Sequence, residues 1–187
     1  VYQPVGDGIR LEASARNNRI LNNIVWVLAG YGLYVDNNSQ VGLASNYNNF
    51  FQGADPNAYV GYWNGVPRDL LADWKTASSV DANSVEGNPS FVDIDGADNV
   101  LGFVASANGG IDGGRDDNFY RNKNSISTDR GQTWDAAITD IEGFSRLDDP
   151  ATTNAGGPRY TIGNAATLGL SGGVAQNWKS DENSWTW

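Results

Sequence analysis

Between Asp7 and Gln52, apolar residues recur in short alternating runs broken by Asn-rich corners, and no stretch sustains a helical period. The pattern predicts β structure throughout. The second half of the segment echoes the first. Gly8-Ile9-Arg10-Leu11-Glu12 returns 24 residues later as Gly32-Leu33-Tyr34-Val35-Asp36, and Leu21-Asn22-Asn23-Ile24 returns after 23 residues as Ala44-Ser45-Asn46-Tyr47. A repeat of this length, holding two or three short strands, has the spacing of one β-solenoid coil. In such a coil Ile9, Leu11, Leu33 and Val35 face inward, Asn23 and Asn46 form a ladder at one corner, and Ala58-Tyr59-Val60-Gly61-Tyr62-Trp63 is the next rung. A β-sandwich with hairpins of similar length is the competing architecture.

The period then changes. Arg68 to Ala77 follows Pro67 and places Leu70, Leu71 and Trp74 on one face at helical spacing, which predicts a short helix near 68–77 flanking or capping the strands. Beyond it the chain is rich in turn residues: Asp81-Ala82-Asn83-Ser84, then Asn88-Pro89-Ser90-Phe91-Val92-Asp93, Asp95-Gly96-Ala97-Asp98, and Asp116-Asp117-Asn118-Phe119.

This order of a Leu71-Ala72-Asp73-Trp74 helix, an Asn88-Pro89-Ser90-Phe91-Val92-Asp93 turn, an Asp/Gly-rich stretch and an Asp116-to-Phe119 strand resembles the ends of right-handed parallel β-helix repeat proteins of large secreted bacterial, planctomycete-like polypeptides. Thr139 to Gly143 and Asp148 to Gly156 resemble the closing segment of that family. The chain departs from it at Asn124-Ser125-Ile126-Ser127-Thr128-Asp129, where a proline is missing. The resemblance implies an all-β right-handed parallel β-helix with one short flanking helix and a loop-rich C-terminal cap. Coils with their helix and Asp/Gly-rich cap then occupy 1–130, and 131–187 is an irregular extension towards a following domain. It also implies a C-terminal fragment of a larger secreted or cell-surface protein. Its motifs are turns and strand ends, so they name a fold and leave the reaction open.

Composition removes whole classes of chemistry. The chain of 187 residues has no His, Cys or Met, which excludes Ser-His-Asp and Cys-His catalysis, His- or Cys-ligated zinc, and disulfides. Its 22 acidic residues outnumber 12 basic ones for a formal charge of −10, so a groove that tracks nucleic-acid phosphates is not expected. No apolar run is long enough to span a membrane as a helix.

Three groups of residues remain as candidate chemistry. Asp93, Asp95 and Asp98 surround Gly96, and Asp112, Asp116 and Asp117 follow a glycine turn, so calcium is the expected cofactor. The spacing is not that of an EF-hand, and Asx-turns account for the same residues. Outward aromatics are the second group. Adjacent strand residues face opposite ways, so at least one of Tyr62 and Trp63 is expected outside, where it can stack on a sugar ring, while Trp26, Tyr31, Tyr34, Tyr59 and Trp74 are expected mostly in the core.

The third group would carry catalysis. A polysaccharide lyase needs a base, which Arg10, Arg16, Arg19 or Arg68 would supply, and a glycoside hydrolase needs two facing carboxylates, for which Glu12, Asp36, Asp55 and Asp69 are available. No catalytic pair is assigned. The expectation is a non-catalytic structural or adhesive module, calcium-stabilised and carbohydrate-binding, whose partners are a polysaccharide or cell-surface glycan and, through exposed strand ends, other copies of itself. A lyase or hydrolase fragment is the alternative.

Overall fold

The computed structural model describes residues 1–101, 116–122, 124–132, 139 and 155, and the backbone of 177–179 and 184–186. In chain order the strands are β1 (Tyr2–Gln3), β2 (Ile9–Leu11), β3 (Arg19–Leu21), β4 (Ile24–Val27), β5 (Gly30–Val35), β6 (Ala44–Asn46), β7 (Asn49–Gln52), β8 (Ala58–Trp63) and β9 (Val66–Arg68). Helix α1 (Leu71–Ser78) follows, then β10 (Val85–Glu86), β11 (Phe91–Asp93), β12 (Asn118–Asn122), β13 (Asn177–Lys179) and β14 (Ser184–Thr186).

The repeated apolar pattern is realised as parallel pairing. Ile9 lies beside Leu33, Arg10 beside Tyr34 and Leu11 beside Val35, the 24-residue offset read from the sequence. Leu33 and Val35 are fully buried, and Ile9 and Leu11 pack against them. The second echo slips by two positions, because β3 pairs with β6 so that Leu21 lies beside Asn46. The corner ladder accordingly joins Asn23 to Asn48. The backbone N–H of Asn23 donates to Asn48 Oδ1 at 2.9 Å, and Asn48 Nδ2 donates to Ile20 O at 2.9 Å.

The whole is not the expected right-handed parallel β-helix. The described strands form separate small sheets of mixed sense, β1-β4-β7-β10 parallel, β3-β6 parallel, β2-β5-β8 parallel with β9 antiparallel at its edge, and β11-β12-β14-β13 antiparallel; none closes or runs on as a solenoid. A local turn explains the break. Asn64 and Gly65 both have positive φ (55° and 78°), as a two-residue type I′ hairpin turn requires, and the chain folds back so that Val66 lies beside Trp63 and Arg68 beside Gly61. The edge of β8 that a further parallel strand would extend is thereby occupied over Gly61–Trp63. The described residues are mostly β with one helix, in mixed parallel and antiparallel sheets.

The helix begins at Leu71, and Pro67 belongs to β9. Leu71 and Trp74 are buried, whereas Leu70, expected on the same face, is 55% exposed as the extended residue before the first turn. That residue offers no side-chain cap, and Glu86 on β10 supplies one: its Oε2 accepts the N–H of Leu71 at 2.8 Å, a carboxylate at the positive end of the helix. Trp74 lies over Gly61, where any Cβ would collide with its ring, and its indole N–H donates to Asp81 Oδ2 at 2.8 Å. Asp81 is fully buried, and its other oxygen accepts from Ser84 Oγ and from Asn48 Nδ2 at 3.0 Å. Helix, corner ladder and sheet core are joined through this one carboxylate.

The antiparallel sheet packs on the β1-β4-β7-β10 sheet through aromatic rings. Phe91 stacks on Trp26 at 6.1 Å, and Trp26 contacts Tyr2 and Phe51. Farther along, Asn49 Nδ2 donates to Ser127 Oγ at 2.7 Å, and Asn22 exchanges hydrogen bonds with the backbone of Gln132. In the remainder of the sheet, β14 pairs with β12, placing Arg121 opposite Trp185 in backbone register.

Candidate functional site

Two strands carry the same motif, Tyr31-Gly32-Leu33-Tyr34 on β5 and Tyr59-Val60-Gly61-Tyr62 on β8, and the parallel register sets Tyr31 beside Tyr59 and Tyr34 beside Tyr62. In both motifs the two central residues are buried and the tyrosines at the ends are partly exposed. The four rings therefore share the outer face of the sheet. Tyr34 and Tyr62 stack at 4.7 Å with 8° between planes, Tyr31 and Tyr59 at 5.3 Å with 23°, and Tyr31 meets Tyr62 edge-on at 5.2 Å.

Arg10 on β2 extends one column, its Cζ lying 3.8 Å from the centroid of Tyr34. Asp7 and Glu12 hold the guanidinium, Glu12 through Arg10 Nε at 2.7 Å. Tyr34 thus has Arg10 on one face and Tyr62 on the other. Tyr59 differs, because β9 pairs with β8 only over Gly61–Trp63, and among the described residues no strand runs beside Tyr59 on the side away from Tyr31. Burial, then the neighbouring phenols of Tyr59 and Tyr62 and the carboxylate of Asp7, raise the pKa of Tyr31 above the usual phenol value. Its hydroxyl stays a donor at neutral pH.

The surface is amphipathic in a particular way. Flat rings stand beside phenol hydroxyls and an ion-paired trio of one guanidinium and two carboxylates, which keeps one net negative charge. Stacking already fixes the rings, so a ligand would immobilise few additional rotors.

Tyr62 is on this face, as expected for one residue of its pair. Trp63 is not a surface residue: it is 8% exposed and packs edge-on against Trp74 at 5.6 Å, because the alternation of β8 sends it to the core side. The reading of the sequence missed Tyr31, Tyr34 and Tyr59. Their signal was present as a Tyr-x-x-Tyr motif repeated after 28 residues, an offset longer than the one followed in the first two echoes.

Of the acidic residues singled out for calcium, Asp112 lies outside the described residues. Asp93 ends β11, and Asp95 and Asp98 lie in the turn that follows. Asp116, 18 positions further on, comes back to that turn: its Oδ2 accepts the backbone N–H of Asp98 at 3.2 Å, while Asp98 Oδ1 accepts from Val100 N at 2.8 Å. Asp117 follows directly before β12. Among the described residues no three carboxylates are grouped closely enough to hold a metal ion.

The residues considered for catalysis are dispersed. Arg10 and Glu12 form the ion pair above, Asp36 accepts from the backbone of Ala13 at 3.1 Å, and Asp55 caps its own turn through Asn57 N at 2.8 Å. Arg19 is on β3, and Arg16 precedes it in the connecting loop. Arg68 and Asp69 line one pocket together.

In comparisons with known proteins, no family model matches the chain, and no curated protein or solved structure matches it. No described helix is long and apolar enough to cross a membrane.

Proposed function

We propose that the chain is a non-catalytic binding module that takes a neutral, hydroxyl-rich glycan on the outer face of β2, β5 and β8. The observation that supports this is the four-tyrosine array of Tyr31, Tyr34, Tyr59 and Tyr62, ordered by its own stacking and bordered by the ion pairs of Arg10 with Asp7 and Glu12. Aromatic rings present apolar faces to the C–H faces of sugars, and the hydroxyls and carboxylates around them offer donors and acceptors. Tyr59, at the open end of its column, is the stacking residue. The formal charge of −10 disfavours polyanionic glycans.

The test is calorimetric titration with neutral glucans and xylans beside uronate polymers. Binding of the neutral polymers, weakened in Tyr59→Ala at a temperature where both proteins are fully folded, supports the proposal. Tighter binding of uronates, or no difference between wild type and Tyr59→Ala, overturns it.

Calcium near Asp93, Asp95, Asp98, Asp116 and Asp117 is a second proposal; among the described residues no three of these carboxylates converge, and Asp116 Oδ2 and Asp98 Oδ1 each accept a backbone N–H, so the ion would need further ligands. A metal bound only by the folded state raises its melting temperature by mass action. A rise on adding calcium to EDTA-treated protein, lost in Asp95→Asn, supports it; an unchanged melt removes it. Secretion or display at a cell surface is the setting proposed for both.

A further inference from the structure

The hairpin that closes the edge of β8 also creates a second polar surface. Pro67 lies opposite Tyr62 in the β8–β9 register, and directly opposed residues of an antiparallel pair share a face, so Pro67 continues the tyrosine surface across one more strand. It also forms one wall of a pocket of ≈ 430 Å³ between β9 and α1, lined further by Asn64, Arg68, Asp69, Asp73 and Thr76. From Arg10 through Tyr34 and Tyr62 to Pro67 the surface crosses three strand spacings, roughly 14 Å, which is longer than one sugar ring.

The chemistry of that pocket selects its ligand. Arg68 forms no ion pair with any described residue; its Nη2 donates to Trp63 O at 3.3 Å, and its Nε has no acceptor among them. Asp69 and Asp73 lie in the same lining, and neither carboxylate is paired with a described residue. An anionic ligand that satisfied Arg68 would meet both carboxylates, and a cationic one that satisfied them would meet Arg68. A hydroxyl group accepts from a guanidinium and donates to a carboxylate at once, so vicinal hydroxyls suit all three.

Resting on the glycan reading above, we infer that the pocket between β9 and α1 is a second subsite, which takes a further residue of the same neutral glycan chain and makes the module a reader of linear oligosaccharides rather than of single sugars. The experiment is titration of the whole chain with cello- and xylo-oligosaccharides from disaccharide to hexasaccharide, in wild type, Arg68→Gln and Asp73→Asn. Asp73 is exposed, so Asp73→Asn keeps the test alive if Arg68→Gln fails to fold.

The expected result is an affinity that rises about tenfold with length in wild type, a rise lost in both variants while disaccharide affinity is unchanged. Affinity independent of length, or a rise that survives in Asp73→Asn, overturns the second subsite and leaves the tyrosine site standing. Absence of binding at every length overturns both.

Discussion

The rings of Tyr34 and Tyr62 lie 4.7 Å apart and within 8° of parallel, the separation of the two hydrogen-bonded strands that carry them. The parallel register therefore builds the stack, and the stack in turn ties β5 to β8 on the outer face. With Arg10 on its other side, Tyr34 is a structural member of the array. Tyr34→Ala is expected to lower stability by about 2 kcal/mol, from lost burial and ring contacts, measured by urea unfolding. A double-mutant cycle of Arg10→Ala with Tyr34→Ala should give a coupling of about 0.5–1 kcal/mol.

Gly61 is an interior strand residue without a side chain because Trp74 occupies that space. Gly61→Ala forces the ring, and with it α1, away from the sheet. Overpacking of this kind costs about 1–3 kcal/mol. Denaturant unfolding should show that loss, and near-ultraviolet circular dichroism should show the change around Trp74.

Asp81 unites three donors, from Trp74, Ser84 and Asn48, inside the protein. Removing it leaves the Trp74 indole N–H and the Ser84 hydroxyl buried without an acceptor, at about 1–3 kcal/mol each, while Asn48 Nδ2 keeps Ile20 O and Ser45 Oγ. Its φ of 62° adds to the demand, since Asp and Asn adopt that region more readily than Ala. Asp81→Ala is expected to be severely destabilising, and Asp81→Asn, which keeps the backbone preference and one carbonyl acceptor, to fall between it and wild type. Thermal melts of the three proteins check the order.

Asp36 sets a pH dependence. The Ser39 hydroxyl, with the backbone amides of Ala13, Ser39 and Asn38, favours its ionised form and lowers its carboxyl pKa below the usual value. A carboxylate whose pKa is depressed on folding stabilises the native state above its unfolded pKa, near 4, and loses that contribution as pH falls through the folded value. Stability should therefore decline on acidification below about pH 4. Asp36→Asn should lower stability at neutral pH and flatten that acid limb, which urea unfolding across pH measures.

How much of this was legible follows from the range of each signal. The alternation around Ile9 and Leu33 encodes both faces of a strand and, when repeated, the partner strand, so the parallel register of β2 and β5 could be read directly. The same pattern says nothing about whether successive sheets join into one coil. That outcome turned on Asn64-Gly65, a strong hairpin signal lying between two apolar runs, whose weight against the repeat was overlooked. The helix was visible in Leu71 and Trp74, but its start was set by Glu86, a residue 15 positions away that no local pattern reveals. The tyrosine array was only half legible: the alternation placed Tyr62 outside, while the contribution of Tyr31, Tyr34 and Tyr59 depended on a register of 28 that only the pairing of β5 with β8 displays.

The most direct test of the account is the affinity of wild type and Tyr59→Ala for a neutral oligosaccharide, read by calorimetry beside the melting temperature of each. Saturable binding by wild type, weakened about tenfold or more in Tyr59→Ala at a temperature where both proteins are fully folded, is the predicted result. Equal affinities in two equally stable proteins, or no binding by either, would contradict it.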